Sequence, residues 1–317
     1  MRRAEGVGVS EGLGWLVEGR RLSPVQRRIA HYLGEHLHEA IFLSSVELAE
    51  RVGVSQPSVT RFAAALGFAG YPELRQALRP LVLGGAGGGH ADLLGERALV
   101  RDALDIEIRN LTALRNRISG QSPEARSVAG SASSAADGLM GVIAELGVAL
   151  AGSEPLPVVG VRVSSGLATT FAYFARRIHP DVRLLTHGGS ELADGLHGAR
   201  RAGAAWVLAV VLPRYPVEAV AALELARELG LRVAVITDRA DVPFAADVIL
   251  DAPVGERLVF DSHAAPLALA MVLVEAMADA APLRTQARLE EYERMTEQRG
   301  VFVTPPSCGE SASTRSG

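Results

Sequence analysis

The second half of the chain alternates short, continuous apolar runs with stretches that have the periodicity of helices. Strands that are apolar along their whole length and are separated by helices are typical of a parallel sheet with helices on both faces. The pattern predicts a five-stranded, doubly wound α/β domain of the flavodoxin type over residues 151–281. The predicted strands are 158–163, 182–185, 206–212, 232–236 and 248–250, with helices at 165–178, 190–201, 217–229 and 262–281.

The sequence pattern of residues 20–83 predicts a separate, all-α domain that contains a helix-turn-helix. Ala49, Gly53 and Val59 have the spacing of this motif. The motif needs a small residue where the two helices cross, a glycine for the positive φ of the turn, and an aliphatic side chain that fills the crossing. An ordinary helical hairpin with a solvated face is the alternative interpretation. The expected N-caps are Ser44 or Ser45 for the first helix and Ser55 for the second.

The outer face of the second helix has side chains that can read DNA. Glutamine and arginine make bidentate contacts to adenine and guanine in the major groove, whereas serine and threonine suit bases or phosphates. Residues 20–80 contain eight arginines and five glutamates, while residues 81–317 contain 22 arginines and 28 acidic residues. A basic module before an acidic one supports nucleic-acid binding. The predicted DNA-contacting residues are Ser55, Gln56, Pro57, Ser58, Thr60, Arg61 and, as a phosphate contact on the next helix, Arg75.

The run over residues 46–78 ends in a Leu-Gly-Phe-x-Gly-Tyr-x-Glu-Leu signature, formed by Leu66, Gly67, Phe68, Gly70, Tyr71, Glu73 and Leu74. In this run the chain resembles the DNA-binding domain of MurR/RpiR-type transcriptional regulators. In that family a sugar isomerase (SIS) domain follows the helix-turn-helix. The order and length of the predicted α/β elements are similar to those of an SIS domain, so the resemblance implies binding of a phosphorylated sugar or a related metabolite.

Several predicted strands end in residues that suit an anion, and ligands of doubly wound sheets bind at these carboxyl ends. Serines at helix N-termini combine a hydroxyl with free backbone N–H groups, although each could be only an N-cap. The predicted ligand-binding residues are Arg162, Ser164, Ser165, Ser190, Arg214, Tyr215 and Thr237.

Two arginines depart from the usual SIS pattern. The Gly-x-Gly-x-Ser loop after the first strand has Arg162 in place of its second glycine, and the Ser-x-Ser-Gly-x-Thr loop after the third strand is replaced by Val-Leu-Pro-Arg-Tyr-Pro, which contains Arg214. A guanidinium can hold phosphate or carboxylate in a bidentate manner. An anionic effector is therefore expected.

An isomerase is the alternative function, since SIS folds also serve aldose-ketose isomerases. Glu256, Asp261 and His263 could form its acid–base group, or they could cap the last predicted helix and line an interface. All 32 basic residues are arginine, which excludes a Schiff-base lysine, a pyridoxal phosphate anchor and a Walker-type phosphate loop. No Gly-x-Gly-x-x-Gly follows the first strand, and the eight histidines are scattered. No enzymatic activity, cofactor or metal is expected.

Composition also indicates the linkers, the compartment and the partners. Residues 84–150 are expected to be a linker with connecting helices at 92–117 and 139–150, and residues 282–317 a final helix and polar tail. The lone Cys308 allows no intramolecular disulfide, and no apolar run approaches the roughly 20 residues of a membrane span. With no signal peptide apparent, a cytoplasmic protein is expected. Its expected partners are double-stranded operator DNA, a small anionic effector and further copies of the chain in a homodimer or homotetramer, with no membrane partner.

Overall fold

The structure, a computed structural model, describes residues 20–83, 92–121 and 138–303 of the 317-residue chain. The chain divides into two compact units. The first comprises Met1–Ala113 and Pro253–Ala265, and the second comprises Leu114–Ala252 and Pro266–Gly317. The connecting region expected over residues 84–150 is therefore shared between the two units.

The core of the first unit forms where the apolar faces of five short helices meet. These are α1 (Pro24–Glu35), α2 (Leu37–Ala40), α3 (Ser45–Val52), α4 (Gln56–Ala65) and α5 (Tyr71–Leu83). Phe62 and Tyr71 are among the buried side chains, and the Tyr71 hydroxyl donates to the Ala40 carbonyl at 2.9 Å. Burial raises the pKa of Tyr71 to about 12 because the phenolate would be poorly solvated there. The long helix α6 (Asp92–Ile118) belongs to this unit as far as Ala113.

Helices α3 and α4 form the predicted helix-turn-helix. Ser44 makes a capping box with Glu47: Glu47 N–H donates to Ser44 Oγ at 3.2 Å, and Ser44 N–H donates to the Glu47 carboxylate at 2.7 Å. These hydrogen bonds lower the pKa of Glu47. Gly53 ends α3 with a left-handed φ of 69°, and Val59 is fully buried. Of the two expected caps, Ser44 is the one used, and glycine stands where the turn requires positive φ.

The second unit contains a wholly parallel sheet in the order β2-β1-β3-β4-β5, the doubly wound, flavodoxin-like order that the sequence predicts. Helices cover the sheet. The strands are β1 (Leu156–Val159), β2 (Val182–Leu185), β3 (Trp206–Val210), β4 (Arg232–Thr237) and β5 (Val248–Asp251). The helices are α7 (Leu139–Ala151), α8 (Ser164–Ile178), α9 (Ser190–Arg201), α10 (Val217–Glu228), α11 (Ala264–Asp279) and α12 (Pro282–Arg299).

The first strand lies closer to the N-terminus than its predicted range of 158–163. β1 covers Leu156–Val159, and the next four residues form a loop before α8 begins at Ser164. Arg162 in this loop has a φ of 56°, which an extended strand does not allow. The run of valines after Gly160 suggested a longer strand, but Val161 is buried in a loop.

Helix α7 packs closely on α11 in the second unit. A Cβ on Gly147 would lie 2.7 Å from the Ala276 carbonyl carbon, so only glycine permits this approach. Among the described residues, no single helix has both the length and the apolar character needed to cross a membrane; α11 and α12, bent by 107° between them, meet that test of length and composition only as a pair.

Candidate functional site

Helix α4 presents a polar face to solvent. Gln56, Pro57, Thr60 and Arg61 are exposed, whereas Val59 is buried in the helical core. These side chains lie within the first six residues of the helix, and the N-terminal part of a recognition helix is the part that contacts base edges in the major groove. The face therefore combines hydrogen-bonding groups with one cation.

Ser55 and Ser58 form hydrogen bonds inside the protein that the sequence did not predict, while their contact with DNA stays a prediction. Ser58 is only 9% exposed; its Oγ lies 2.9 Å from Ser55 Oγ and accepts a hydrogen bond from Arg61 Nη2 at 2.9 Å. The Ser55 side chain caps no N–H group of α4, contrary to expectation. The two hydroxyls instead bond to each other, and Ser58 restrains the Arg61 guanidinium along the exposed face.

Arg75 lies on α5 and is half-buried. Its Nη1 donates to the Leu43 carbonyl at 3.0 Å, which ties α5 to the segment before α3. The guanidinium has further N–H groups for a phosphate, so this contact stays a prediction. Arg79, one turn later on the same helix, is exposed.

In the second unit, the carboxyl ends of β1 and β3 lie side by side at the switch point of the sheet. Ser164 joins the loops that follow these strands. Its Oγ donates to the Leu212 carbonyl at 3.3 Å and accepts from the Leu212 N–H at 3.1 Å, and the residue is 1% exposed. Ser164 therefore fixes two loops relative to each other, and its predicted role as an open ligand hydroxyl is corrected.

Two more of the predicted hydroxyls form bonds inside the protein. Ser165 Oγ donates to the Arg162 carbonyl at 2.6 Å, and Thr237 Oγ1, which is fully buried, donates to the Val211 carbonyl at 2.9 Å. These bonds hold the loops at the ends of β1 and β3. Ser190, by contrast, is exposed in the first turn of α9.

Arg162 and Arg214 have φ values of 56° and 59°, the left-handed conformation that favours glycine. They are the positions where the resembling SIS pattern has glycine. Among the described residues they are the two non-glycine positions with positive φ. Because a Cβ makes this conformation unfavourable by roughly 1–2 kcal/mol, the backbone of both arginines is strained.

Arg162 is paired with a carboxylate that the sequence did not suggest. Its Nε donates to Glu218 Oε1 at 2.8 Å, and Glu218 lies in the first turn of α10. Gly188, in the loop after β2, leaves no room for a Cβ beside Glu218 Oε2. Segments that follow β1, β2 and β3 therefore meet beside this carboxylate, which stays partly open to solvent.

Arg214 and Tyr215 line an open cavity of about 660 Å³ beside α10. The Tyr215 hydroxyl donates to Asp238 Oδ1 at 3.1 Å, and its ring packs edge-on against Phe244 with centroids 5.2 Å apart. Tyr215 is therefore held at the rim while Arg214 is exposed. The other lining residues are Val217, Val220, Ala221, Glu224 and Pro243.

The acid–base candidates are partly engaged elsewhere. Asp261 pairs with Arg27 Nη2 at 2.5 Å within the first unit. In the part of the chain that the structure describes, no group of three or more His, Cys, Asp or Glu side chains is placed to hold a metal ion. Cys308 lies outside that part.

Residues 17–81 match the family model of the helix-turn-helix domain of the rpiR family. The N-terminal domain belongs to the rpiR family. The chain is also similar to three solved structures. The sugar isomerase domain of the RpiR transcription factor from Sphaerobacter thermophilus is 25% identical with a TM-score of 0.49, over 62% of this chain and 98% of that one. The Vibrio vulnificus NanR protein complexed with ManNAc-6P is 19% identical with a TM-score of 0.46, and the match covers 94% of this chain and 100% of that one. The C-terminal domain of glucosamine-fructose-6-phosphate aminotransferase from Francisella tularensis is 12% identical with a TM-score of 0.40, and the match covers 74% of this chain and 57% of that one.

The rpiR-family domain contains every residue that the sequence predicted to contact DNA. In the α/β domain the prediction missed Glu218, Gly188 and Asp238. One signal was available for Glu218, because it is the acidic residue in the first turn of the helix after β3. Nothing local marks Gly188, whose role depends on a side chain 30 residues away in the sequence.

Proposed function

We propose that this chain is a transcriptional regulator of the MurR/RpiR type, which binds operator DNA in the cytoplasm and responds to a small anionic metabolite. The observation that carries the proposal is the rpiR-family helix-turn-helix, whose helix α4 exposes a polar face. The α/β domain supplies the effector site at the carboxyl ends of its strands. Effector binding changes DNA affinity to the extent that the effector prefers one of the two states.

Three exposed side chains on α4 divide the work of reading DNA. Arg61 suits the two acceptors of guanine, and Gln56 suits the donor and acceptor of adenine. Thr60 lies between them on the exposed face and suits a base or a phosphate. Arg75 and Arg79 on α5 contact phosphates, which sets the register without reading sequence.

The proposed DNA contact is tested by Arg61→Ala, with Arg79→Ala as the control. We expect Arg61→Ala to weaken binding to the preferred duplex by roughly 5- to 150-fold, because a bidentate base contact contributes about 1–3 kcal/mol. Binding to random duplex should change much less. Arg79→Ala should weaken both equally, since a phosphate contact is independent of sequence.

The duplex is selected from a random double-stranded library, and affinities are measured by fluorescence anisotropy at a fixed salt concentration. Circular dichroism checks the fold, because Arg61 also bonds to Ser58. Equal losses on selected and random DNA in Arg61→Ala would exclude base reading by this residue.

The proposed effector is a phosphorylated sugar or a related small acid. Arg162 and Arg214 supply two guanidinium groups on the loops after β1 and β3, and Ser190 supplies an exposed hydroxyl at the N-terminus of α9. Tyr215 contributes an aromatic wall for a sugar ring beside Arg214. A thermal-shift screen of phosphorylated sugars, amino-sugar phosphates including ManNAc-6P, and small carboxylates identifies the ligand, because a ligand of the folded state raises its stability.

We also propose that the regulator works as a homodimer, with two recognition helices about 34 Å apart on a pseudo-palindromic operator. The support comes from α6, where Val100, Leu104, Ile108 and Leu111 form an exposed apolar stripe. A homotetramer of two such dimers is compatible with the same stripe.

An isomerase is the less favoured function. Asp261, one of its candidate groups, is engaged by Arg27, so it is not free to act as a base in the α/β crevice. An enzyme of this kind also has no need for a DNA-reading helix. Conversion of pentose or hexose phosphates by the purified chain, lost in Asp261→Asn, would favour the isomerase over the regulator.

A further inference from the structure

The carboxylate of Glu218 lies where the acidic group of a ligand is expected. Glu218 Oε1 accepts a hydrogen bond from Arg162 Nε at 2.8 Å. Its position in the first turn of α10 places negative charge at the end of the helix where the dipole stabilises an anion. Gly188 lies against the other oxygen and closes that side. The chain thus supplies an anion of its own to the switch point.

This pair leaves little attraction for a second anion. Arg162 contributes one positive charge, which Glu218 neutralises. The hydroxyls of Ser164 and Ser165 already donate to backbone carbonyls. Neither hydroxyl therefore makes up for the positive charge of Arg162 that Glu218 neutralises. An acidic ligand that entered beside Glu218 would be repelled by the carboxylate. An anion therefore binds Arg162 well only when Glu218 moves away.

The Arg162–Glu218 ion pair can readily be replaced by a contact between Arg162 and a ligand. The Arg162 side chain is 72% exposed and that of Glu218 is 33% exposed. Ion pairs open to solvent contribute little to stability, so a ligand can break this one without unfolding the loop. The backbone of the β1 loop stays fixed meanwhile, because buried Ser164 bonds it to Leu212.

We infer that Glu218 is an internal competitor of the effector: the acidic group of the ligand takes the place of the Glu218 carboxylate on Arg162. This inference rests on the proposed effector site. It makes Glu218 a specificity-determining residue, because the site retains only ligands whose acid binds Arg162 more strongly than Glu218 does. A phosphate dianion meets this condition better than a singly charged carboxylate.

The test is isothermal titration calorimetry of the full chain with inorganic phosphate and, separately, with acetate. Glu218→Gln removes the competing charge and should bind phosphate roughly threefold to tenfold more tightly than the unchanged chain. Glu218→Asp keeps the charge but withdraws it from Arg162, and it should also bind phosphate more tightly. Glu228→Gln removes the same charge about 15 Å away along α10 and should change affinity less than twofold.

A double-mutant cycle with Arg162→Ala separates the two proposals. If Glu218 competes at Arg162, the gain of Glu218→Gln vanishes in the Arg162→Ala background. Phosphate binding that depends on Arg162 but is unchanged in both Glu218 variants would overturn the competition and leave the effector site intact. The effector site itself would be overturned by either of two results. One is that no variant binds phosphate, and the other is that Arg162→Ala leaves phosphate affinity unchanged. An equal gain in Glu228→Gln would reduce the effect to overall charge and overturn the competition.

Discussion

At the scale of single residues, two arginines combine a strained backbone with a positive charge at the ends of neighbouring parallel strands. Arg162 and Arg214 adopt the left-handed conformation at the two positions where the SIS pattern has glycine. Arg162 uses its side chain to hold Glu218. Arg214 makes no hydrogen bond or ion pair with any residue that the structure describes, and it is exposed at a cavity. A strained backbone at a residue whose side chain has no structural partner supports the proposed role of Arg214 in ligand binding.

Two substitutions of Arg214 separate its charge from its backbone strain. Arg214→Ala and Arg214→Gly should both lose the thermal shift caused by the effector from the screen. Arg214→Gly should be the more stable of the two by about 0.5–1 kcal/mol, because glycine adopts a φ of 59° without strain and this outweighs its greater freedom when unfolded. Urea unfolding measures the difference. Arg227→Ala, at the far end of α10, is the control.

An effector shift that persists in both Arg214 variants would remove Arg214 from the binding site. Equal stability of the alanine and glycine variants would mean that the loop relaxes and that the strain is not stored at this residue.

At the scale of helices and strands, the sequence predicted most of the fold because amphipathic periodicity and caps are local signals. The predicted helix at 190–201 is the observed α9, and the one at 217–229 ends one residue beyond α10. β1 was misplaced because the valines that follow Gly160 are apolar without being extended. The site was predicted less well than the fold, since the partner of a hydroxyl is set by tertiary structure: Ser164 bonds to Leu212, 48 residues away.

Helix α6 has one covered face and one uncovered apolar face. Ala103 and Leu114 are 7% and 3% exposed. The stripe comprises Val100, Leu104, Ile108 and Leu111, which are 52%, 59%, 62% and 39% exposed. Spacings of four, four and three residues place the stripe on one side of the helix, and an i, i+4 ridge of this kind packs into the groove of a second helix.

The proposed occupant of this stripe is a second copy of the chain. Residues 84–91, 122–137 and 304–317 contain Val128 as their one large aliphatic residue, whereas residues 1–19 contain several, so the N-terminal segment is the alternative occupant that the test must separate from a second copy. A two-fold axis across α6 would place the stripe of one copy against the same stripe of the other copy. Four side chains fall short of the roughly 800 Å² that each partner buries in a standard interface, so in the proposed dimer the stripe would form only part of the contact.

Leu104→Glu should weaken the dimer by at least roughly tenfold, because a desolvated charge in a packed interface is unfavourable. Arg109→Glu, on the polar side of the same helix, should leave dimerisation unchanged. Analytical ultracentrifugation over a concentration series measures both. A dimer that resists Leu104→Glu would assign the contact to another surface, and dimer loss only after residues 1–19 are deleted would make that segment the partner of the stripe.

At the scale of the whole molecule, one buried histidine gives the stability of the second unit a dependence on pH. The second unit contains a buried histidine: His179 is 1% exposed, and its Nδ1 accepts the Asp181 N–H at 3.2 Å. Burial, and next the charge of Arg284, lower the pKa of His179 below its ordinary value. Protonation would remove the acceptor on Nδ1 and place a charge in the core. The folded state therefore keeps this histidine neutral.

The sign of the pH effect follows from this. Below about pH 6.5 the unfolded chain binds a proton at His179 more readily than the folded chain, in which the pKa of this group is lowered, so acid favours unfolding. We expect the unfolding free energy of the second unit to fall by up to about 1.4 kcal/mol per pH unit from this group as pH drops from 6.5. His179→Gln should remove that part of the slope. His187→Gln, at a histidine whose side chain is 76% exposed, should not.

Fluorescence can follow this unit separately because the chain has two tryptophans, Trp15 and Trp206. Trp206 is 6% exposed in β3, so in a Trp15→Phe background its emission reports on the α/β domain. Urea unfolding of that background at pH 7.5, 6.5 and 5.5 gives the slope, and the two histidine variants are compared with it. If His179→Gln keeps the full slope, the acid sensitivity comes from other groups and His179 is protonated as readily in the folded chain as in the unfolded one.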